Sequence, residues 1–293
     1  MDWTPLLGFP IEWAALGLLV VACLYGERSG FSGLGVEGCV ASAMLGLIVG
    51  YGWTGNYALA SLVAAGASVG FAIAAGGLIR LLRADPAIGS FCLSLIPGLA
   101  LGLMARMGPH RIFDEVPSPG LIPGTMFAGT HAEDLLANPW LLSAPLVMAL
   151  AWWILGHTSL GLKMRAFGET PGWRVPGARP TLYRLSALAI GALWTVPAAA
   201  LMLRAHPEAP PVALGYLALA CAVAGRWSLG AGLALAAGPA LLRAARPYGV
   251  DLGSTIAIEI APFLLALLYL VILARRALRI AVSPQSRVNP DVL

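Results

Sequence analysis

Residues 38–79 read GCVASAMLGLIVGYGWTGNYALASLVAAGASVGFAIAAGGLI and contain no Asp, Glu, Lys or Arg. An α-helix crosses the ~30 Å hydrocarbon core of a bilayer with about 20 residues, so this stretch is too long for one crossing. Gly52-Trp53-Thr54-Gly55-Asn56 near its middle combines turn-forming residues with a tryptophan suited to the membrane–water interface. The expected structure is two membrane helices joined by a tight turn.

The same pattern extends in both directions. Stretches free of charged residues cover 13–26, 86–105, 135–162, 185–203, 209–225, 227–242 and 260–274. One helix for each, with two from 38–79, predicts an all-α polytopic membrane protein of about nine transmembrane helices, of which those at 209–225 and 227–242 are short. With 59% hydrophobic and only 11% charged residues, the chain is excluded from the ordinary cytosolic enzymes. Nine crossings put the termini on opposite sides. Assigning the segments after odd-numbered helices to the cytoplasm collects 13 of the 18 basic residues there, leaving Arg106, Arg111, Arg204, Arg243 and Arg246 outside. The excess of Lys and Arg in cytoplasmic loops therefore predicts the N-terminus out and the C-terminus in. Met1-Asp2-Trp3 lacks the basic start of a signal peptide, so the first apolar run is expected to remain as an anchor.

Several functions are excluded by what the spans lack. The net charge of +4 is scattered in short clusters between apolar runs, not on a basic face, so no nucleic-acid partner is expected. Cys23, Cys39, Cys92 and Cys221 show no CxxC or Cys/His spacing and read as small buried hydrophobes; no metal site is expected. A proton or cation relay needs ionisable groups at membrane depth, whereas Glu12, Glu37 and Glu259 stand near predicted helix ends. A P-loop needs a lysine after its glycine loop, and the one lysine, Lys163, follows Leu162. ATP hydrolysis, if it drives this chain, belongs to a separate subunit. Gly30-Phe31-Ser32-Gly33 has the GxSG form of an intramembrane serine protease nucleophile, but no histidine is placed as its base; a flexible turn before a helix is the competing reading.

Three other features leave alternatives open. The outside loop 108–138, rich in Pro and Gly and carrying Asp114-Glu115 and Glu133-Asp134, reads as a solvated loop or as a docking or gating surface. Small-residue spacings Gly46/Gly50, Gly66/Gly70 and Gly98/Gly102 fit close helix packing. Aromatic residues near span ends, among them Trp53, Tyr57 and Trp140, fit interfacial belts.

Four collinear segments carry a family resemblance. Glu27-Arg28-Ser29-Gly30 through Leu34-Gly35-Val36-Glu37-Gly38 is similar to an ERxGxxNLGxEG pattern, and Leu82-Arg83-Ala84-Asp85 to the start of LRADQVVSGLALN. Thr158 to Pro171 is similar to TxxGLxLRAVGENP, and Gly215-Tyr216-Leu217-Ala218 through Gly225-Arg226-Trp227 to GYIALAAVIFGRWNPxG. Over residues 20 to 280 the chain resembles permease subunits of ABC importers of the basic-membrane-protein, or nucleoside, class, relatives of the ribose and branched-chain amino-acid permeases. Gly33, Pro86 and Ser94 stand where that pattern has Asn, Gln and Asn.

The resemblance implies a single transmembrane permease domain over 1–293, with a ribose-permease-like fold, in the bacterial inner membrane. It implies no enzymatic activity and no cofactor, an ATP-binding subunit, a second homologous permease forming a heterodimer, and an extracytoplasmic solute-binding protein. The solute expected is small and neutral, a nucleoside first, with a sugar permease of the same superfamily as the alternative and an intramembrane protease using Ser32 as a more distant one. The matching segment at Leu162, Lys163, Arg165, Ala166, Phe167, Gly168 and Glu169 is the expected ATPase-coupling turn, with Leu162, Arg165, Ala166 and Phe167 presented to the partner. Ser90 and Ser94, spaced i, i+4, mark with Pro97 an expected break in the fourth helix. They read as part of the substrate path or as hydroxyls bonding their own preceding turn. Glu37 reads as a cap on its own helix's N-terminal dipole or as a substrate contact.

Overall fold

The computed structural model describes residues 4–30, 33–107, 139–169, 180–206, 213–244 and, in part, 260–271. Ser32, the 108–138 loop and the basic residues after 271 lie outside the described residues. The described elements are helical throughout: α1 (Thr4–Arg28), a 3-10 turn (Gly33–Gly35), α2 (Val36–Thr54), α3 (Tyr57–Leu82), α4 (Pro86–Met107), α5 (Pro139–His157), α6 (Ser159–Glu169), α7 (Pro180–Ala205), α8 (Leu214–Ala224) and α9 (Leu229–Ala244). Six of them, α1 to α5 and α7, are long and apolar enough to cross a membrane. At 1.5 Å per residue α8 is about 16 Å long and α9 about 24 Å, short of the ~30 Å hydrocarbon core. The ninth expected helix, at 260–274, is described only in part.

Charge-free sequence makes these helices, because within hydrocarbon a backbone must satisfy its own polar groups. Packing then separates them into two classes. The apolar spans of α1, α2 and α7 are 72%, 78% and 61% buried, whereas those of α3, α4 and α5 are 28%, 22% and 22% buried. α1 is the axis: every residue from Ala14 to Glu27 is buried, and α5, α7, α8 and α9 all pack on it. Exposed leucines such as Leu62 of α3, Leu99 of α4 and Leu146 of α5 form the apolar exterior. Such a surface is stable only against lipid or another apolar partner.

The turn at 52–56 forms as expected. Gly55 closes α2 in the left-handed region (φ 59°), donating its N–H to Tyr51. Asn56 caps α3 by accepting from the N–H groups of Ala58 at 2.9 Å and Leu59 at 3.4 Å. Of the three glycine pairs, only Gly46/Gly50 is pressed against another helix: a Cβ on Gly46 would lie 2.6 Å from Ala64 Cα, and one on Gly50 2.9 Å from Ala60 Cα. Gly66, Gly70, Gly98 and Gly102 face open space, so their spacing carries no packing within the described residues. α4 runs unbroken across Pro97.

The six long helices, α1 to α5 and α7, alternate in direction, which sorts the loops into two ends. At one end lie Arg28, the 82–86 turn, α6, Arg184 and the 225–228 turn; this is called the Arg28 end. Side-chain contacts draw it together, among them Arg80 Nη1 with Thr181 Oγ1, and Arg28 Nη2 donating to the Trp227 carbonyl at 2.9 Å. At the other, the Glu12 end, lie the 54–57 turn, Trp140, His206 and Arg243, with Trp140 Nε1 donating to Tyr57 Oη at 3.1 Å. The basic residues Arg28, Arg80, Lys163, Arg165, Arg184 and Arg226 thus share one end, and Arg204 and Arg243 the other.

Candidate functional site

Three places in the fold concentrate polar groups. The first is a junction inside the protein, where the 3-10 turn, α2, α4 and α8 meet. Glu27, on the last turn of α1, accepts from Gly33 N–H at 2.8 Å and holds the 3-10 turn against α1. α2 then begins within the body of the protein. Its Glu37 is 5% exposed, and its two oxygens accept from Ala213 N–H at 2.7 Å and Gly215 N–H at 2.6 Å. The carboxylate therefore caps the N-terminus of α8, where unsatisfied N–H groups and the helix dipole both favour an anion. Sequence reasoning expected the cap on α2 itself; the partner is α8, 176 residues away from Glu37 at its Ala213 edge. The far end of α8 is level with Arg28, so Glu37 sits about 16 Å in from the Arg28 end.

Ser94 takes the second of its expected readings, a hydroxyl bonding its own preceding turn. Its hydroxyl bonds the preceding turn at Ser90 O (2.7 Å) and also the 3-10 turn at Leu34 O (3.2 Å). Gly38 leaves room for this approach, since a Cβ there would lie 3.0 Å from Ser94 Cα and overlap the Phe71 ring. Ser90 turns instead toward a cavity of about 30 Å³ between α1, α2, α3, α4 and α7. Gly35, Cys39, Ala72, Gly76 and Thr195 also line it. Neither Ser94 nor Glu37 lines the cavity, and no charged side chain does. Thr195, which sequence reasoning missed, is bonded to Ser68 Oγ at 2.9 Å and to Ala192 O at 2.7 Å. Measured as room for the centre of a water molecule, a space of this size takes a water or so.

The second place is α6. Thr158 starts it, its Oγ1 accepting from Gly161 N–H at 3.1 Å while donating to Ile154 O at 2.6 Å. Gly161 lets the chain bend sharply out of α5: a Cβ there would overlap Ile154 O and lie 2.7 Å from Leu155 Cα. The helix is two-sided. Met164, Phe167 and Gly168 face inward and are buried, whereas Leu162 is 51% exposed and Lys163, Arg165 and Ala166 are half-buried. Phe167 was expected on the outer face; it stacks instead on Tyr183 at 5.4 Å, and Arg184 Nη2 donates to its carbonyl at 2.7 Å. Lys163 Nζ lies 5.6 Å over the Tyr183 ring. Glu169 ends the helix, and its side chain lies outside the described residues.

The third place has no forerunner in the sequence reading. Glu12 of α1 accepts from Arg243 Nε of α9 at 2.9 Å and is 2.5 Å from His206 Nε2, just past α7. Its side chain is 3% exposed. Such a group is stable only when paired. The available signal was that Glu12, Arg243 and His206 all stand at the edges of apolar stretches, which says nothing about their meeting. Among the described residues, no group of three or more His, Cys, Asp or Glu side chains is placed to hold a metal ion.

Comparison with known proteins gives this geometry a family. Over 244 residues, 76% of this chain and 70% of the relative, the chain is 30% identical to the protein named "Putative glucose ABC transporter permease protein TsgC13" of Haloferax volcanii. No family model and no solved structure matches. With six helices among the described residues long and apolar enough to cross a membrane, and with this similarity to a permease, the chain is a multi-pass membrane protein, and it belongs to the ABC transporter permeases.

Proposed function

We propose that this chain is the membrane-spanning subunit of an ATP-driven importer and passes a small neutral solute, a sugar before a nucleoside. The observation that carries the choice is the similarity to a protein named as a glucose permease. The cavity lining agrees with it: hydroxyls of Ser90 and Thr195 among apolar residues, with no charged side chain among the described residues that line it. The likeness of the Glu37-Gly38 segment to nucleoside-class permeases supports a nucleoside as the second reading. In this scheme residues 1–293 form one permease domain and hydrolyse nothing themselves. A second, homologous permease completes a heterodimer, and a solute-binding protein delivers the cargo from outside.

The Arg28 end faces the cytoplasm in this reading, because it gathers the basic residues. The N-terminus is then outside, the C-terminus inside, and the membrane is the cell's inner one. The outer face of α6, with Leu162, Lys163, Arg165 and Ala166, seats the ATP-binding subunit. Ser90 lies on the solute path, with Ser94 and Glu37 shaping its wall from behind.

Proteoliposomes holding the reconstituted complex test the assignment. ATP-dependent accumulation of labelled glucose, ribose or uridine is expected, and accumulation that survives omission of the ATP-binding subunit defeats the importer reading. Arg165→Glu is expected to weaken co-purification of that subunit on the order of tenfold, about 1.4 kcal/mol, with membrane insertion intact. Unchanged co-purification and uptake would remove α6 from the interface.

A further inference from the structure

α6 does not merely rest on the bundle; it touches the end of α1 backbone to backbone. A Cβ on Gly168 would overlap Arg28 O and lie 2.7 Å from Ser29 C. From the other side, a Cβ on Gly30 would lie 3.3 Å from Gly168 Cα, and Gly30 holds φ +85°, a conformation that other residues adopt at a cost. The Arg184 side chain borders the contact, its Nε 3.8 Å from where a Gly30 Cβ would stand. A displacement of α6 therefore meets the C-terminal turn of α1 directly, and a close-packed interior passes it on with little compression.

The same turn of α1 is bonded onward. Arg28 Nη2 donates to Trp227 O at 2.9 Å. Trp227 is 6% exposed and sits with Arg226 in a turn where both residues have positive φ, 57° for Arg226 and 59° for Trp227. Two non-glycine residues in that region persist only where their surroundings hold them. The turn also brings α8 and α9 together, since a Cβ on Gly225 would lie 2.5 Å from Gly232 N. Beyond it stands α8, a short helix held at its other end by both oxygens of Glu37. A Cβ on Gly215 would lie 2.5 Å from Glu37 N, so this joint too is backbone to backbone.

We infer that α8 is the rod that carries motion from the ATPase-facing helix α6 to the middle of the membrane, with Arg28 as the positioning residue that couples α1 to it. The route runs from Gly168 and Gly30 to Arg28, from Arg28 to the Trp227 carbonyl, and along α8 to Glu37 at the start of α2. There Gly35 of the 3-10 turn and Ser90 border the cavity. Shifts of 1–2 Å are the usual scale of such helix movements. This inference rests on the permease reading above. Spatial continuity selects the residues, and coupling between hydrolysis and uptake is what the experiment reads.

The test uses the complete reconstituted complex, with ATP hydrolysis and uptake of labelled glucose, ribose and uridine measured on the same vesicles. Arg28→Met removes the donor to Trp227, Arg28→Lys keeps a cationic donor, and Gly30→Ala strains the contact with Gly168. In Arg28→Met, the ATP-binding subunit is expected to co-purify and hydrolyse ATP within about twofold of wild type, while solute moved per ATP falls at least about tenfold. Arg28→Lys recovers part of the loss, and Gly30→Ala, tested independently, shows the same separation of hydrolysis from uptake. Full coupling in Arg28→Met overturns the inference. So does loss of uptake in step with loss of the ATP-binding subunit, which marks a structural or docking effect. Should the wild-type complex show no ATP-dependent uptake of any probe, the permease reading itself falls, whatever the variants do.

Discussion

The two ends of α1 are held in opposite ways. At the Glu12 end, α1, α7 and α9 are tied by a buried carboxylate between His206 and Arg243. At the Arg28 end, α1 and α7 meet α6 and the α8–α9 turn through arginine-to-carbonyl bonds and glycine contacts. A buried ion pair is costly to open, because each charge left alone loses both its partner and water. An arginine bonded to a carbonyl near the surface exchanges that acceptor for water at lower cost. The fold thus has a clamped end and an end whose contacts can rearrange, and the second is the end that carries α6.

That contrast can be broken by experiment. The largest effect is expected for Glu12→Gln, which leaves Arg243 facing a neutral partner in a buried setting; a loss of about 3–5 kcal/mol follows from removing one member of such a pair. Thermal inactivation of the detergent-solubilised protein checks it. An unchanged midpoint would mean that the Glu12 end is no clamp. Arg184→Met removes the donor to Phe167 O at the other end and is expected to cost less, about 1.5–3 kcal/mol, with increased protease access to α6 as the local readout. A larger loss than for Glu12→Gln would invert the comparison. The smallest effect is expected for Asn56→Ala at the exposed α2–α3 turn, about 1 kcal/mol for a lost cap. The same thermal assay gives the baseline against which the two ends are read.

The membrane-crossing helices were legible because an ionised group within hydrocarbon costs several kcal/mol, so charge-free stretches mark spans directly. The turn at 52–56 was legible for a local reason: glycine and asparagine supply the left-handed closure and the cap within a few residues of each other. α6 was placed by its position after a long span and by its residue order, but its inward face was misjudged at Phe167. Which side of a short two-sided helix is covered depends on Tyr183 and Arg184 of α7, which the local pattern does not contain. Glu37 was seen to be a cap, but its helix was mistaken, since a carboxylate at a helix start can turn to any N-terminus within reach. The Gly66/Gly70 and Gly98/Gly102 spacings show the converse, small residues with the right period and nothing opposite them among the described residues.

Composition and local order alone determined that this chain is helical and membrane-spanning, roughly where its long helices lie, and that no P-loop lies within it. Those properties follow from solvation and from hydrogen bonds closed within a few residues. The tertiary structure decided the Glu12 clamp, whose partners lie 194 and 231 residues away, the seat of Gly168 on α1, and the pairing of Glu37 with α8. Such contacts are fixed by which helices lie side by side, and helices that are apolar on every face carry little in their own sequence to name a neighbour.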